Sequence, residues 1–207
     1  MDSGSSEIGS HQPAGRIRSA KILISGGFGA GKTTLVGSIS EITPLTTEAV
    51  MTAASDAVDD TQGLPHKNAT TVAMDFGRIT MSPELILYLF GTPGQNRFWF
   101  MWDELNRGAI GAVVLVDTRR TSDSFAPIDF LENRRIPYLV AVNLFDDARR
   151  YSEDEVREAL AIPDRTPVVT CDARARESVK DVLIRLVEYV VDLYRRDPSA
   201  MPTATRP

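Results

Sequence analysis

The feature that most constrains this chain is the run Gly26-Gly27-Phe28-Gly29-Ala30-Gly31-Lys32-Thr33, which fits the pattern G-x-x-x-x-G-K-[ST]. The apolar stretch Ile17 to Ser25 before it reads as a strand, and Lys32 to Glu41 after it as a helix. Residue frequencies alone would produce such an octet roughly 0.003 times in a chain of this composition, so the match carries weight. Glycines let successive backbone N–H groups turn inward, and the following helix adds the partial positive charge of its N-terminus to an anion site. In that reading Gly27, Gly29, Ala30 and Gly31 supply backbone donors, and Lys32 pairs with the β and γ phosphates of a nucleotide. The Thr33 hydroxyl holds Mg2+, and Thr34, beside it at the start of the helix, joins the nucleotide-binding residues.

The remaining elements agree with such an opening. Val72 to Met81, the turn Ser82-Pro83-Glu84, and Leu85 to Phe90 read as a β-hairpin. Ile110 to Val116, Tyr138 to Asn143 and Val168 to Cys171 are further strands, apolar on both faces as a helix-covered parallel sheet requires. Val179, Val182, Leu183, Leu186, Val190, Leu193 and Tyr194 recur at spacings of three and four and form the buried stripe of a closing helix. The expected fold is therefore α/β, a three-layer sandwich around a mostly parallel six-stranded sheet with one antiparallel strand. Thr43 to Thr70 lacks periodicity and reads as a long functional or mobile connection. The chain of 207 residues suits one domain, at 16–196, between disordered tails at 1–15 and 197–207 that are rich in Ser, Gly, Pro and Thr.

Charge and composition remove several classes of function. A formal net charge of -5 argues against a nucleic-acid binder, whose phosphate contacts need a basic face. The one cysteine, Cys171, has no partner for a disulfide or a cysteine-based metal site. Met1 to Ser10 lacks the basic start and apolar core of a signal peptide, and neither chain end carries a usual lipidation signal. With no apolar run of the ~18 residues a span needs, the expectation is a cytoplasmic protein without a direct membrane anchor, brought to any membrane by partners.

Four later segments sharpen the reading. Thr71-Val72-Ala73-Met74-Asp75-Phe76 opens a strand, Gly91-Thr92-Pro93-Gly94-Gln95 closes the next, Val142-Asn143-Leu144-Phe145-Asp146 follows a later one, and Cys171-Asp172-Ala173-Arg174 follows the last. Taken in order they resemble the switch I threonine, the D-T-A-G-Q switch II motif, the N-K-x-D base-recognition motif and the S-A-K motif of Ras-like small GTPases. The resemblance covers residues 17–195 and looks closest to the bacterial MglA-like gliding-motility GTPases and the conservon GTPases of actinobacteria, which share a P-G-Q form of switch II. It implies the P-loop small-GTPase fold and a switch that binds GTP and GDP with Mg2+ and hydrolyses GTP slowly. Switch I would cover residues 43–71 and switch II 91–108. Thr71 and the Gly94 N–H would meet the γ phosphate, and Ala173 would lend its N–H to the guanine O6.

The base-reading pair has its own chemistry. An amide at Asn143 suits the guanine O6/N7 edge, and a carboxylate at Asp146 suits its N1–H and N2–H groups, donors that adenine does not match. Gln95 is the residue expected to orient the attacking water, with Lys32 and Thr71 at the phosphates. Four positions depart from the pattern: Leu144 for lysine, Gly91 for the aspartate behind the metal, Phe28 for a glycine, and Arg174 for lysine. At Gly91 the missing side chain leaves room for Asp75, which lies on the hairpin partner strand and becomes, with Thr33 and Thr71, a candidate for the metal's surroundings. Thr71 would have to curl off that strand to reach the metal, since four extended residues span about 13 Å.

The run Arg97-Phe98-Trp99-Phe100-Met101-Trp102 holds four of the chain's fifteen aromatic residues. On a helix Phe98, Met101 or Trp102, and Leu105 would face the sheet, leaving Trp99 and Phe100 for a partner. The resemblance supplies that partner, a roadblock/LC7-type protein, along with a sensor or effector in a bacterial signalling system. Two other readings compete: a nucleotide-bound pseudo-GTPase with negligible turnover, and a P-loop ATPase or kinase, which would leave Asn143, Asp146 and Ala173 unexplained.

Overall fold

Residues 18–51, 70–94 and 99–197 are described in the structure, a computed structural model. The predicted tails lie outside the described residues except for Asp197, whose N–H donates to the Leu193 carbonyl at 2.9 Å and ends the last helix. In chain order the elements are β1 (Arg18–Gly26), α1 (Lys32–Ile39), β2 (Leu45–Met51), β3 (Thr70–Ser82), β4 (Leu85–Gly91) and α2 (Trp99–Asn106). There follow β5 (Ala109–Val116), α3 (Phe125–Asn133), β6 (Tyr138–Asn143), α4 (Glu153–Leu160), β7 (Val168–Cys171) and α5 (Arg176–Arg196).

Among the described residues the sheet has the order β2-β3-β4-β1-β5-β6-β7, seven strands rather than the six expected. Strand β3 is antiparallel to both neighbours and is the one reversed strand, as the sequence implied. The seventh strand is β2, which lies within the stretch read as an irregular connection and pairs with β3 from Leu45↔Phe76 to Met51↔Thr70.

Period-two alternation divides the core between the two faces. In β5, Val113 and Leu115 join one buried cluster with Leu35 and Val36 of α1 and Val179, Leu183 and Leu186 of α5. Ala112, Val114 and Val116 of the same strand join the other, with Leu105 of α2, Ile128 and Leu131 of α3, and Val156 and Leu160 of α4. Those two layers of helices make the sandwich. Helix α4 starts at a capping box in which the Ser152 side chain accepts from the Glu155 N–H and the Glu155 carboxylate accepts from the Ser152 N–H. Among the described residues no helix is long and apolar enough to cross a membrane.

This topology gathers the functional segments. Because β1, β4, β5, β6 and β7 are parallel, the chain leaves all of them at one edge of the sheet. The run from Gly26 to Thr33 emerges there from β1, between β4 and β5, where the connections diverge to opposite sides of the sheet.

Candidate functional site

The loop after β1 turns into α1 through Gly31, whose φ of 105° lies in the left-handed region that a side chain disfavours. A Cβ there would also meet the Asn143 amide at 2.5 Å, so this glycine is required twice. The Lys32 ammonium folds back over the loop and donates to the carbonyls of Gly26 at 2.9 Å and Gly27 at 2.7 Å. Burial pushes its pKa down to about 8, partly opposed by the negative charge of Asp75. A part-buried ammonium held by two backbone carbonyls is set to receive an anion.

Thr33 donates its hydroxyl proton to Asp75 Oδ2 at 2.6 Å, which leaves the oxygen lone pairs of Thr33 facing away from the carboxylate. Asp75 is buried, near the middle of β3, and reaches this position because β3 runs antiparallel to β4 and places it opposite Gly91. A Cβ on Gly91 would stand 3.0 Å from the Asp75 Cβ and 3.1 Å from its Oδ2. Any larger side chain at 91 would displace that carboxylate. The end of β4 is further tied to β1 by the Thr92 N–H, which donates to the Ile24 carbonyl at 2.9 Å.

Asn143, at the end of β6, is buried and joins two loops. Its Nδ2 donates to the Ala30 carbonyl at 3.0 Å, and its Oδ1 accepts the Ala173 N–H at 3.1 Å. The Ala173 N–H expected at a guanine O6 is therefore engaged by Asn143 in this structure. Asp146 is exposed, and its two oxygens accept from Arg174 Nη1 and Nη2 at 3.2 and 3.3 Å. Arg174 also pairs with Asp172, whose carboxyl it holds below the usual carboxylate range. Two parallel N–H donors thus already meet Asp146, in the pattern that a guanine edge presents.

Of the other predicted residues, Gly27, Gly29, Ala30 and Thr34 stand in or beside the loop, and Gly94 packs on it, since a Cβ there would lie 2.6 Å from the Lys32 Nζ. Thr71 stays on β3, paired with Val50, and does not curl toward Thr33 as the sequence reading required. Pairing with β2 holds it in extended register about 13 Å along the strand from Asp75. Gln95 and Phe98 lie outside the described residues. Trp102, on the predicted sheet-facing stripe, is buried, donates to the Pro93 carbonyl at 3.2 Å and meets Phe130 edge-on at 5.1 Å.

Sequence reasoning passed over the loop after β5. Asp117 is buried there and takes a fork of bonds from Arg119 at 2.9 Å, and Arg119 also reaches Asp147 and lies over the Phe145 ring at 3.8 Å. The next residue, Arg120, donates to the Phe28 carbonyl of the glycine loop at 2.5 Å. The only available signal was the position of the paired arginines at a strand's carboxyl end, on the edge that carries the loop.

The family model described as "Conserved hypothetical ATP binding protein" matches residues 24–193. An uncharacterized protein of Methanocaldococcus jannaschii is 30% identical over 128 residues, covering 61% of this chain and 70% of that protein. The G domain of the T. maritima FeoB iron transporter superposes with a TM-score of 0.59 at 18% identity, covering 83% of this chain and 99% of that one. The larger cytosolic domain of the same transporter, in a GDP form, gives a TM-score of 0.61 at 18% identity over 85% of this chain and 65% of its own length. At these identities the likeness is one of fold: the architecture is that of a GTPase G domain.

Proposed function

The chain belongs to the family of conserved hypothetical ATP binding proteins, and from that premise we propose that it is a nucleotide-dependent molecular switch that selects guanine. It binds GTP and GDP with Mg2+ and hydrolyses GTP slowly, through a G domain spanning residues 16–196. The observation that carries this reading is the edge that gathers Lys32 and Thr33 at the start of α1, Asp75 from β3, and Asn143 and Asp146 from the end of β6 and the loop after it. Preference for guanine over the adenine of the family's description is supported by Asp146, whose carboxylate already accepts two parallel N–H donors from Arg174. Asn143 contributes by holding the glycine loop to the Ala173 loop.

The donor set suits Mg2+. Thr33 presents a hydroxyl oxygen whose proton is committed to Asp75, and a carboxylate behind a hydroxyl orients what that hydroxyl binds. When bound with the nucleotide, the metal would neutralise charge between the β and γ phosphates. Lys32 exchanges its two carbonyl acceptors for phosphate oxygens, the loop N–H groups hold the anion, and Gly94, already against Phe28, brings switch II to the terminal phosphate. Gln95 positions the water, and Thr71, paired with Val50 on β3 in this structure, closes switch I only by leaving that pairing when the nucleotide binds. We place the chain in the MglA-like and conservon branch on its P-G-Q switch II, as a cytoplasmic signalling protein recruited by a roadblock/LC7-type partner and a sensor or effector.

A pseudo-GTPase is the second reading, favoured by the substitution at Gly91 and by Phe28, whose side chain stands 63% exposed at the loop rim. Binding of GTP, GDP and ATP to the purified protein, followed by single-turnover hydrolysis, tests both. Preference for GTP with slow turnover supports the switch, guanine binding without turnover supports the pseudo-GTPase, and equal affinity for ATP and GTP removes the guanine assignment.

A further inference from the structure

Two consecutive arginines follow β5, and their surroundings differ. Arg119 is held by the fork to Asp117, the bond to Asp147 and the Phe145 ring. Arg120 is half exposed, faces Asp123 at 3.9 Å, and uses one of its five N–H donors on the Phe28 carbonyl. Its Nη2 lies 2.9 Å from where a Cβ on Gly29 would stand, so the glycine keeps that space for the guanidinium. Asp123 approaches the same loop, 2.5 Å from where a Cβ on Gly27 would stand.

The consequence is electrostatic. Lys32 holds the carbonyls of Gly26 and Gly27, and Arg120 holds that of Phe28, so two cations rest on three successive carbonyls of one loop. Gly94 packs against the same point, with a would-be Cβ 3.0 Å from the Phe28 Cα. A carbonyl is a weak substitute for an anion, and a terminal phosphate arriving between them would draw both cations.

We propose that Arg120 is a built-in arginine for the terminal phosphate of GTP, a catalytic residue supplied by the β5–α3 loop; this rests on the GTPase reading above. In the reaction the water oxygen bonds to the γ phosphorus as the bond from that phosphorus to the bridging oxygen breaks. The electron pair leaves with GDP, and the proton of the water ends on the released phosphate. Arg120 stays protonated throughout and moves its donors from the Phe28 carbonyl to the oxygens on which charge develops. A cis arginine also suits the exposed Phe28, whose bulk crowds the approach of an arginine from another protein.

The test compares wild type, Arg120→Ala and Arg120→Lys in single-turnover GTP hydrolysis, GDP affinity, and capture of GDP with aluminium fluoride. The expected result is a loss of at least about 100-fold in hydrolysis for Arg120→Ala. Fluoride capture should be lost, GDP affinity should stay within about twofold, and Arg120→Lys should give little recovery because it lacks the planar fork. Unchanged hydrolysis and capture in Arg120→Ala overturns the proposal. So does a parallel loss of GDP affinity, which would make the contact a brace for the loop. A wild type that binds GTP without hydrolysing it overturns the role of Arg120 and leaves the guanine reading standing, whereas a wild type that binds no guanine nucleotide overturns both.

Discussion

The Thr33 hydroxyl donates to Asp75 at 2.6 Å across the gap that Gly91 leaves open, so a carboxylate from β3 occupies the space that a side chain on β4 would fill. The hydroxyl stands at the start of α1 and the carboxylate arrives by antiparallel register from the neighbouring hairpin. If that carboxylate orients the metal's water shell, its removal separates metal dependence from nucleotide binding as such.

Asp75→Ala should therefore raise the Mg2+ concentration needed for tight GTP binding by about 10-fold or more, the usual cost of losing an outer-shell partner. GDP affinity measured with a chelator should stay near that of wild type. Gly91→Ala should act in the same direction, because its Cβ would stand 3.0 Å from the Asp75 Cβ. An unchanged Mg2+ titration in Asp75→Ala would remove the carboxylate from the metal's surroundings and favour the pseudo-GTPase.

Lys32 gives a pH signature. Its pKa falls from an ordinary 10.5 to about 8 on burial, so the unfolded chain binds more protons than the native one between those values. Stability of the nucleotide-free protein should rise with pH across that window, in chemical denaturation read at several pH values. Nucleotide affinity should move the opposite way. An anion holds the lysine protonated, so the dissociation constant should weaken by about tenfold per pH unit above about 8, and Lys32→Met should flatten both profiles.

What the sequence disclosed follows from the range of each signal. Strand Tyr138–Asn143 matches the expected bounds because its apolar run is buried on both faces of a covered sheet, and Val168–Cys171 matches them with Thr170 exposed. The Asp75 and Gly91 relationship was legible from period-two spacing and a missing side chain. Strand β2 was not, since Leu45–Met51 mixes Thr, Glu and Ala with its apolar residues and, among the described residues, lies at the sheet edge with β3 as its one neighbour. Nor was the Arg120 contact to Phe28, which joins residues far apart in sequence through two loop conformations that no periodicity encodes. Sequence chemistry suits the Asn143 amide to a base edge, whereas its ties to Ala30 and Ala173 depend on how three loops meet.

Asn143 and Asp146 should consequently fail in different ways. Asn143→Ala strands the Ala30 carbonyl and the Ala173 N–H in a buried setting, at about 1–3 kcal/mol for each group left without a partner. Thermal stability without nucleotide should drop, and affinity for GTP and GDP should fall together. Asp146→Asn alters a side chain that is 84% exposed and leaves stability nearly unchanged. Its effect should be a shift from guanine toward xanthine nucleotides of about 10- to 150-fold, the worth of charge-assisted bonds. A uniform loss of all nucleotides in Asp146→Asn would deny that carboxylate a role in base selection.

The two tryptophans of α2 separate core from partner surface. Trp102 anchors the helix through Pro93 and Phe130, so Trp102→Ala should cost about 3–5 kcal/mol and lower the melting temperature. Because Pro93 precedes Gly94, the same variant should weaken GTP binding more than GDP binding by loosening the segment that meets the terminal phosphate. Trp99 lies on the first turn of the same helix. If it belongs to the docking surface for a roadblock-domain dimer, Trp99→Ala should weaken that complex, measured by titration calorimetry with the purified partner, while leaving melting temperature and GDP affinity unchanged. A fall in melting temperature comparable to that of Trp102→Ala would place Trp99 in the core, and an unaltered complex would move the partner's footprint away from α2.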